Sequence, residues 1–396
     1  MADARPGDSG TARRRQRAVP AAPSTEARAA QARAAQARAA QARAAAGRQR
    51  VTLQDVANRA GVSLTTASRV VNDGARPVGK ALAERVHKAV AELGYTANLQ
   101  ARAVATGQST MIGVALRDIS DPYFSSIAAG LIEVADTEFT GGGRLLVCMT
   151  STAAHEEAER EYVALMRAQR ARAVVLVGSR SDNAAARDAL RAELEAFTRA
   201  GGRAACVGQD MLGVDTVLPE NRAGAAALAA GLAALGHRRF AVLAGPRPLL
   251  TARDRTDGFR DGLCAWSVPL EKARVVHGDL SRDGGYAAMS EVLAAGEPLP
   301  DCVFAVSDIM AVGALARLRA AGLDVPGDIA LAGFDDIPTL RDVYPPLTTV
   351  RLPLKRLGEI AARLVLGDAP PRPRVVPVPG EVLLRDSTRP RPPAAR

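Results

Sequence analysis

The chain has few cysteines, and none of them is arranged to bind a metal. Its 396 residues include only Cys148, Cys206, Cys264 and Cys302, with no C-x-x-C pair and no histidine at zinc-ligand spacing. Each cysteine lies in an apolar run. We therefore expect buried, reduced thiols in a cytoplasmic protein and no metal site.

Long apolar runs are also missing. No run approaches the ~20 residues that a membrane span requires. The N-terminus lacks the apolar segment of a secretory signal. These absences predict a cytoplasmic protein without a membrane partner, and they disfavour an exported solute-binding protein.

Catalytic motifs are absent as well. The four histidines, His87, His155, His237 and His277, fit neither a Ser/His/Asp arrangement nor a metal site. The chain has no G-x-S-x-G elbow and no G-x-x-x-x-G-K-[ST] phosphate loop. We expect no enzyme and no cofactor, although an α/β enzyme that uses Asp and His in a cleft remains an alternative.

The positive charge is concentrated at one end. Residues 1–50 carry 11 Lys and Arg against 3 Asp and Glu, residues 51–108 carry 7 against 4, and the remaining residues carry 34 against 35. The net charge of +10 thus belongs to the N-terminal end, as expected if that end alone meets a polyanion such as DNA.

Residues 1–49 are of low complexity. A repeated A-A-Q-A-R pentad carries the arginines around a helix axis and leaves no apolar stripe to bury. We expect a solvated, disordered tail, and the alternative is an arm that binds phosphates without reading sequence.

Residues 51–72 have the pattern of a helix-turn-helix. Thr52 and Asp55 predict a capping box, Gly61 a turn, and Ser63 the cap of a second helix. Donor and apolar side chains of the second helix then point outward, as base-reading residues do: Leu64, Thr65, Ser68, Arg69 and Asn72. A small helical hairpin without a DNA role is the plainer alternative.

A third amphipathic helix is predicted over residues 78–93. Leu82, Val86, Ala89, Val90 and Leu93 would face inward, and Gly94 would end the helix. Asn98 then caps a short Ala-rich segment that ends at Gly107.

Residues 51–107 resemble the headpiece and hinge helix of the lactose/galactose repressor family of bacterial transcription regulators. The matching sequence motifs are V-T-L-Q-D-V-A, A-G-V-S, S-R-V-V-N, L-G-Y-T-A-N and A-R-A-V-A-T-G. The resemblance implies a helix-turn-helix headpiece over residues 50–97 and a hinge helix over 98–108. It implies DNA contacts from Thr52, Ser63, Leu64, Thr65, Thr66, Ser68, Arg69, Asn72, Asn98, Ala101 and Val104.

From residue 109 onward, short apolar runs alternate with helical stretches. This alternation predicts two doubly wound parallel sheets, facing each other as two lobes. The predicted first lobe comprises about 109–219 and 352–373, and the second about 220–351 and 374–390. Ligands of such sheets bind at the carboxyl ends of the strands.

The body resembles the effector-binding core of the same family, which is similar to periplasmic sugar-binding proteins. The matching sequence motifs include G-H-R-R-F-A-V-L-A-G-P, R-T-D-G-F, S-D-I-M-A-V-G, V-P-G-D-I-A-L-A-G-F-D-D and Y-P-P-L-T-T-V-R. Asp121 follows the first predicted strand and is therefore a candidate effector contact. The resemblance implies that Arg255 and Asp308 grip ligand hydroxyls and that Tyr123 and Phe124 supply an apolar face.

Plainer roles stay open for two of these residues. Arg255 could form a surface ion pair with Asp254 or Asp257. Asp308 could serve only as a helix N-cap. The segment Gly333–Asp336 is interpreted as a structural turn.

Four positions depart from the family pattern. Gly79 and Leu82 stand where relatives place Ser and Thr that hold phosphate. Val104 replaces the usual Leu wedge of the hinge helix. Leu352 replaces a Gln often found beside the ligand, which predicts a more apolar pocket.

The sequence as a whole predicts a transcription repressor controlled by a small-molecule effector. The predicted partners are double-stranded DNA with a palindromic operator, a carbohydrate effector, and a second copy of the chain in a homodimer or a tetramer. A solute-binding protein without a DNA role is the alternative.

Overall fold

The computed structural model describes residues 51–71, 78–96, 109–138, 145–152, 156–270, 274–296 and 298–390. The chain divides into two compact units between residues 97 and 98. The tail, the hinge segment, and with them Asn72, Asn98, Ala101 and Val104, lie outside the described residues.

The smaller unit holds three helices around a small apolar core. They are α1 Leu53–Ala60, α2 Leu64–Val71 and α3 Lys80–Leu93. Val56, Val70 and Val86 are buried between them, because each helix places its apolar residues on one face. The prediction that Leu82 faces inward is wrong: it is 39% exposed, near the start of α3.

The larger unit alternates strands and helices. Its strands are β1 Met111–Leu116, β2 Leu146–Ser151, β3 Ala173–Val177, β4 Arg203–Val207, β5 Asp215–Pro219, β6 Phe240–Ala244, β7 Val275–His277, β8 Cys302–Ala305, β9 Ala330–Ala332, β10 Thr349–Arg351, β11 Val375–Val378 and β12 Glu381–Leu383. Its helices are α4 Pro122–Thr137, α5 Glu156–Ala168, α6 Ala184–Arg199, α7 Asn221–Ala234, α8 Leu250–Ala265, α9 Arg282–Ala294, α10 Asp308–Ala320 and α11 Leu354–Leu366, with a 3₁₀ turn at Pro338–Asp342.

The first lobe is built on a parallel sheet of six strands, in the order β11-β5-β4-β3-β1-β2. Its central strands are fully buried apolar runs, as parallel strands with helices on both faces require. Two strands depart from the predictions. β5 was not predicted, and β11 pairs with β5 although the predicted boundary after residue 373 had placed it in the second lobe. That boundary is wrong for β11.

The second lobe has a four-stranded parallel sheet in the order β7-β6-β8-β9, which confirms the predicted pair of doubly wound sheets. β10 and β12 form a separate antiparallel pair. Phe240, Phe259 and Phe304 fill the centre of this lobe, with the rings of Phe259 and Phe304 stacked at 4.5 Å.

Two glycines allow a close helix crossing in the first lobe. Gly130 on α4 and Gly358 on α11 lie where the two helices cross, and a Cβ atom on Gly130 would overlap the Lys355 carbonyl oxygen. The crossing therefore requires glycine for steric reasons.

None of the described helices has the length and apolar character that crossing a membrane would require.

Candidate nucleic-acid interface and ligand cavity

The start of α1 is fixed by a reciprocal cap. The Thr52 hydroxyl accepts a hydrogen bond from the Asp55 N–H (3.3 Å), and the Asp55 carboxylate accepts from the Thr52 N–H (2.8 Å). The Thr52 hydrogen bonds hold the pKa of Asp55 below its usual range. The predicted capping box is confirmed, with Asp in the place usually held by Glu.

The turn into α2 also follows the sequence pattern. Gly61 has φ of 63°, in the left-handed region that glycine adopts without strain. Ser63 Oγ accepts from the Thr66 N–H at 3.1 Å and lies 2.8 Å from the Thr66 hydroxyl. The Ser63 and Thr66 hydroxyls therefore stabilise the start of α2.

The outer face of α2 is the candidate DNA-reading surface. Leu64 is 45% exposed, and Thr65 and Arg69 are exposed beside it. Among the described residues the Arg69 guanidinium has no hydrogen-bond or ion-pair partner, whereas Ser68 is half-buried and already has an interaction partner. An apolar side chain, a hydroxyl and a planar donor thus lie on one surface, as direct readout of base edges requires.

Other arginines of this unit serve its packing. Arg85 donates to the carbonyl oxygens of Ala60 (2.5 Å) and Gly61 (3.2 Å), which closes the end of α1. Arg59 pairs with Glu92 at 2.6 Å. Gly79 caps α3 without a side-chain hydrogen bond.

A cavity of about 500 Å³ lies between the two lobes of the larger unit, at the carboxyl ends of the strands of both sheets. The described residues that line it are Arg117, Asp118, Asp121, Tyr123, Phe124, Ser151, Gly178, Ser179, Val207, Gly208, Pro219, Asn221, Thr251, Asp279, Leu280, Ser281, Ser307 and Asp335. Its volume falls within the ~300–1,000 Å³ of small-molecule sites.

Three predicted effector residues line this cavity from the first lobe. Asp121 caps α4 by accepting from the Tyr123 N–H at 2.9 Å, which orients the two aromatic residues that follow. The rings of Tyr123 and Phe124 meet edge to face, with centroids 4.9 Å apart. Burial raises the pKa of both the Asp121 carboxyl and the Tyr123 phenol.

Arg255 lies behind the residues that line the cavity, and all three nitrogens of its guanidinium donate hydrogen bonds. Its Nη2 and Nη1 donate to Asp335 at 2.7 and 3.2 Å, its Nε donates to Asn221 Oδ1 at 2.9 Å, and Nη1 also donates to the Val306 carbonyl at 2.7 Å. Only 4% of the residue is exposed, so the alternative of a surface ion pair is wrong. Arg255 holds Asp335 and Asn221 in place, and those two residues line the cavity.

Asp308 does not line the cavity. Its side chain is completely buried, and its two oxygens accept from the Thr349 hydroxyl (2.8 Å) and the Ile337 N–H (3.0 Å). Burial raises its pKa to about 6. Asp308 is the first residue of α10 and Ser307 is its N-cap, so Asp308 ties α10 to the segments that follow β9.

The sequence interpretation missed Asp335, a carboxylate of the second lobe that does line the cavity. Asp335 follows β9 and lines the cavity from a segment interpreted only as a turn. Burial raises its pKa above the usual range of an aspartate, against the attraction of Arg255. Its place just after a buried strand was the available signal.

Ser307 and Asn221 were missed as well. The Ser307 Oγ is buried with no hydrogen-bond partner among the described residues, and Ser307 lines the cavity. Asn221 follows β5, a strand that was not predicted. Leu352, expected to make the pocket more apolar, is buried and is not among the lining residues.

A set of hydrogen bonds joins the two lobes beside the cavity. The Leu250 N–H donates to the Arg180 carbonyl at 2.9 Å, and the Thr251 N–H donates to Ser179 Oγ at 3.0 Å. Gln209 Nε2 donates to the Thr251 hydroxyl at 2.9 Å. Groups of the first lobe thus satisfy N–H groups at the start of α8 in the second lobe.

Two family models match the chain. Residues 52–98 match the family of bacterial regulatory proteins named for lacI, and residues 229–388 match a periplasmic binding protein-like domain. The HTH-type transcriptional regulator CelR of Thermobifida fusca is 32% identical over 324 residues, covering 81% of this chain and 92% of CelR.

Two solved structures are similar over most of the chain. The lac repressor dimer bound to operator and the anti-inducer ONPF matches with a TM-score of 0.71 and 30% identity, covering 86% of this chain and 100% of that one. The CelR–cellobiose complex matches with a TM-score of 0.61 and 29% identity, covering 85% and 100%.

Proposed function

The chain belongs to the lacI family of bacterial regulatory proteins, and on that premise we propose that it is a repressor whose operator affinity is controlled by a carbohydrate bound between its lobes. It is a DNA-binding transcription regulator, as its relatives are. It acts by binding rather than by catalysis, in the cytoplasm where its operator is.

The exposed face of α2 supports the DNA role most directly. Arg69 is unpaired among the described residues and can donate two hydrogen bonds to a guanine edge, which typically contributes ~1–3 kcal/mol of discrimination. Leu64 can contact a thymine methyl group. Thr52, Ser63 and Thr66 hold the ends of α1 and α2, so in this proposal they orient the reading residues and can add phosphate contacts through backbone groups.

The cavity supports a polyol effector. Asp335 and Asn221 are held by Arg255, so their free lone pairs and N–H groups are oriented in advance for ligand hydroxyls. The buried Ser307 hydroxyl has no partner and gains one when a polar ligand enters. The solved complex of CelR, whose ligand is cellobiose, has the same fold.

The hydrogen bonds between the lobes supply the switch. Ser179, Thr251 and Gly178 line the cavity and lie at the seam where the lobes meet. A ligand that contacts both lobes therefore biases the closure angle, and a coupling of ~1–3 kcal/mol changes operator affinity about 5- to 150-fold.

A homodimer completes the proposal. β2 is an edge strand of the first sheet and exposes Leu146 and Met149. Exposed apolar residues on an edge strand are typical of an interface, and two headpieces are needed for specific affinity to a palindrome.

The experiment is to select duplexes from a random library with purified protein and to measure the affinity of the selected operator by fluorescence anisotropy. We expect a palindrome, and we expect Arg69→Ala to relax the preference at one base pair in each half-site. Lys88→Ala is the control, because it removes the same charge from α3 and should leave the sequence preference unchanged. Selection of no common sequence would contradict the proposal.

A further inference from the structure

The interlobe cavity is acidic. Four aspartates line it, Asp118, Asp121, Asp279 and Asp335, and among the described lining residues Arg117 is the one cation. Arg255 compensates Asp335 through the bidentate ion pair. Three carboxylates therefore face one guanidinium, which leaves the cavity with an excess of negative charge.

The three carboxylates differ in how much protein contact they have. Asp118 accepts from the Ser120 N–H (2.9 Å) and hydroxyl (2.7 Å), and Asp121 accepts from the Tyr123 N–H. Asp279 follows β7 in the opposite lobe, is exposed, and receives no side-chain hydrogen bond from the described residues. Asp279 is thus the carboxylate with the most free acceptor capacity.

The remaining polar groups of the wall suit uncharged hydroxyls. Ser307 offers a buried hydroxyl without a partner, and Asn221 and Asp335 are fixed by Arg255. Tyr123 and Phe124 offer ring faces and edges, which complement the apolar face of a sugar ring. Shape and hydrogen bonding therefore favour a polyol, whereas the excess charge decides which polyols can enter.

We propose that the cavity selects its ligand by charge: it accepts an uncharged sugar and rejects the same sugar once it is phosphorylated, with Asp279 and Asp121 as the residues that determine this selectivity. The inference rests on the proposed carbohydrate effector. A phosphate group carries close to two negative charges, and like charges brought together in a cleft are strongly disfavoured.

The test uses matched sugars. Glucose, cellobiose, glucosamine and glucose 6-phosphate are titrated into the full-length protein, and binding is measured by calorimetry and by the shift in Tm. We expect glucose or cellobiose to bind, glucosamine to bind at least as well as glucose, and glucose 6-phosphate to bind ~100-fold more weakly than glucose.

Single substitutions then test which carboxylates determine the preference for glucose over glucose 6-phosphate. Asp279→Asn should bring the affinities for glucose and glucose 6-phosphate about tenfold closer. Asp283→Asn is the control, because Asp283 is an exposed carboxylate on α9 that does not line the cavity and should leave the ratio unchanged. If Asp279→Asn fails to fold, the same ratio measured for Asp121→Asn decides the question.

The results distinguish the charge-selection proposal from the proposed carbohydrate effector. Equal or tighter binding of glucose 6-phosphate, or a ratio that neither variant moves, would overturn charge selection and leave the carbohydrate effector intact. Binding of no sugar at all would overturn the effector proposal and this inference with it.

Discussion

The buried ion pair between Arg255 and Asp335 leads to a mutational prediction with a definite magnitude. Asp335→Ala removes hydrogen bonds of 2.7 and 3.2 Å and leaves a guanidinium that is 4% exposed. Breaking a buried pair in this way costs about 3–5 kcal/mol, because the remaining charge stays desolvated. Arg255 keeps the carbonyl of Val306 and the ring of Phe334 (4.0 Å), so we expect the lower value, about 3 kcal/mol.

The assay is urea unfolding followed by the fluorescence of Trp266, the single tryptophan, which lies at the end of α8. Asp261→Ala is the matched control: its pair with Arg222 is also 2.7 Å, but both side chains are more than half exposed, so we expect a loss below about 1 kcal/mol. Equal losses for Asp335→Ala and Asp261→Ala would refute the structural role given to the buried pair.

Three further predictions concern other parts of the chain. Burial raises the pKa of Asp308 to about 6, above its unfolded value near 4, so the native state binds the proton more tightly and stability falls as pH rises from about 4 to about 6. Asp308→Asn should remove the Asp308 contribution to that fall, so the difference in unfolding free energy between wild type and variant should change by about 3 kcal/mol over this pH range in urea unfolding; parallel pH profiles would contradict it. Replacing thymine with deoxyuridine at the operator position that Leu64 is expected to contact removes one methyl group and should weaken binding about threefold. Leu64→Ala should remove this effect, whereas the control Leu82→Ala should not. If the loss of affinity persists in Leu64→Ala, another residue contacts the methyl group. Gly130→Ala should lower stability by about 1–3 kcal/mol in the same unfolding assay, because its Cβ would overlap the Lys355 carbonyl, and wild-type stability would show that the crossing can relax.

Local sequence patterns predicted the small unit well. The capping box at Thr52, the turn at Gly61 and the cap at Ser63 are short-range features whose partners lie within three residues, so the sequence contains all that determines them. The prediction that Leu82 is buried was wrong, because amphipathic spacing shows which face of a helix is apolar but not how far along the helix the three-helix core extends.

The residues that line the cavity could be predicted only in part from local sequence patterns. Asp308 and Asp335 both follow buried strands, so both were eligible from the pattern. Which of them faces the cavity depends on backbone geometry at the turn, where Asp335 has φ of 119°, and on the long-range contacts from Thr349 and Arg255. β11 was misplaced for the same reason, because its pairing with β5 joins residues about 160 positions apart.

The central claim is that a ligand in the interlobe cavity controls operator binding. The most direct test is the dissociation constant of the selected operator, measured by anisotropy at fixed salt, with and without a saturating concentration of the sugar that binds most tightly in calorimetry. The account predicts a change of about 5- to 150-fold, lost in Arg255→Ala while operator binding without ligand is retained. An operator affinity that is the same with and without bound sugar would contradict it.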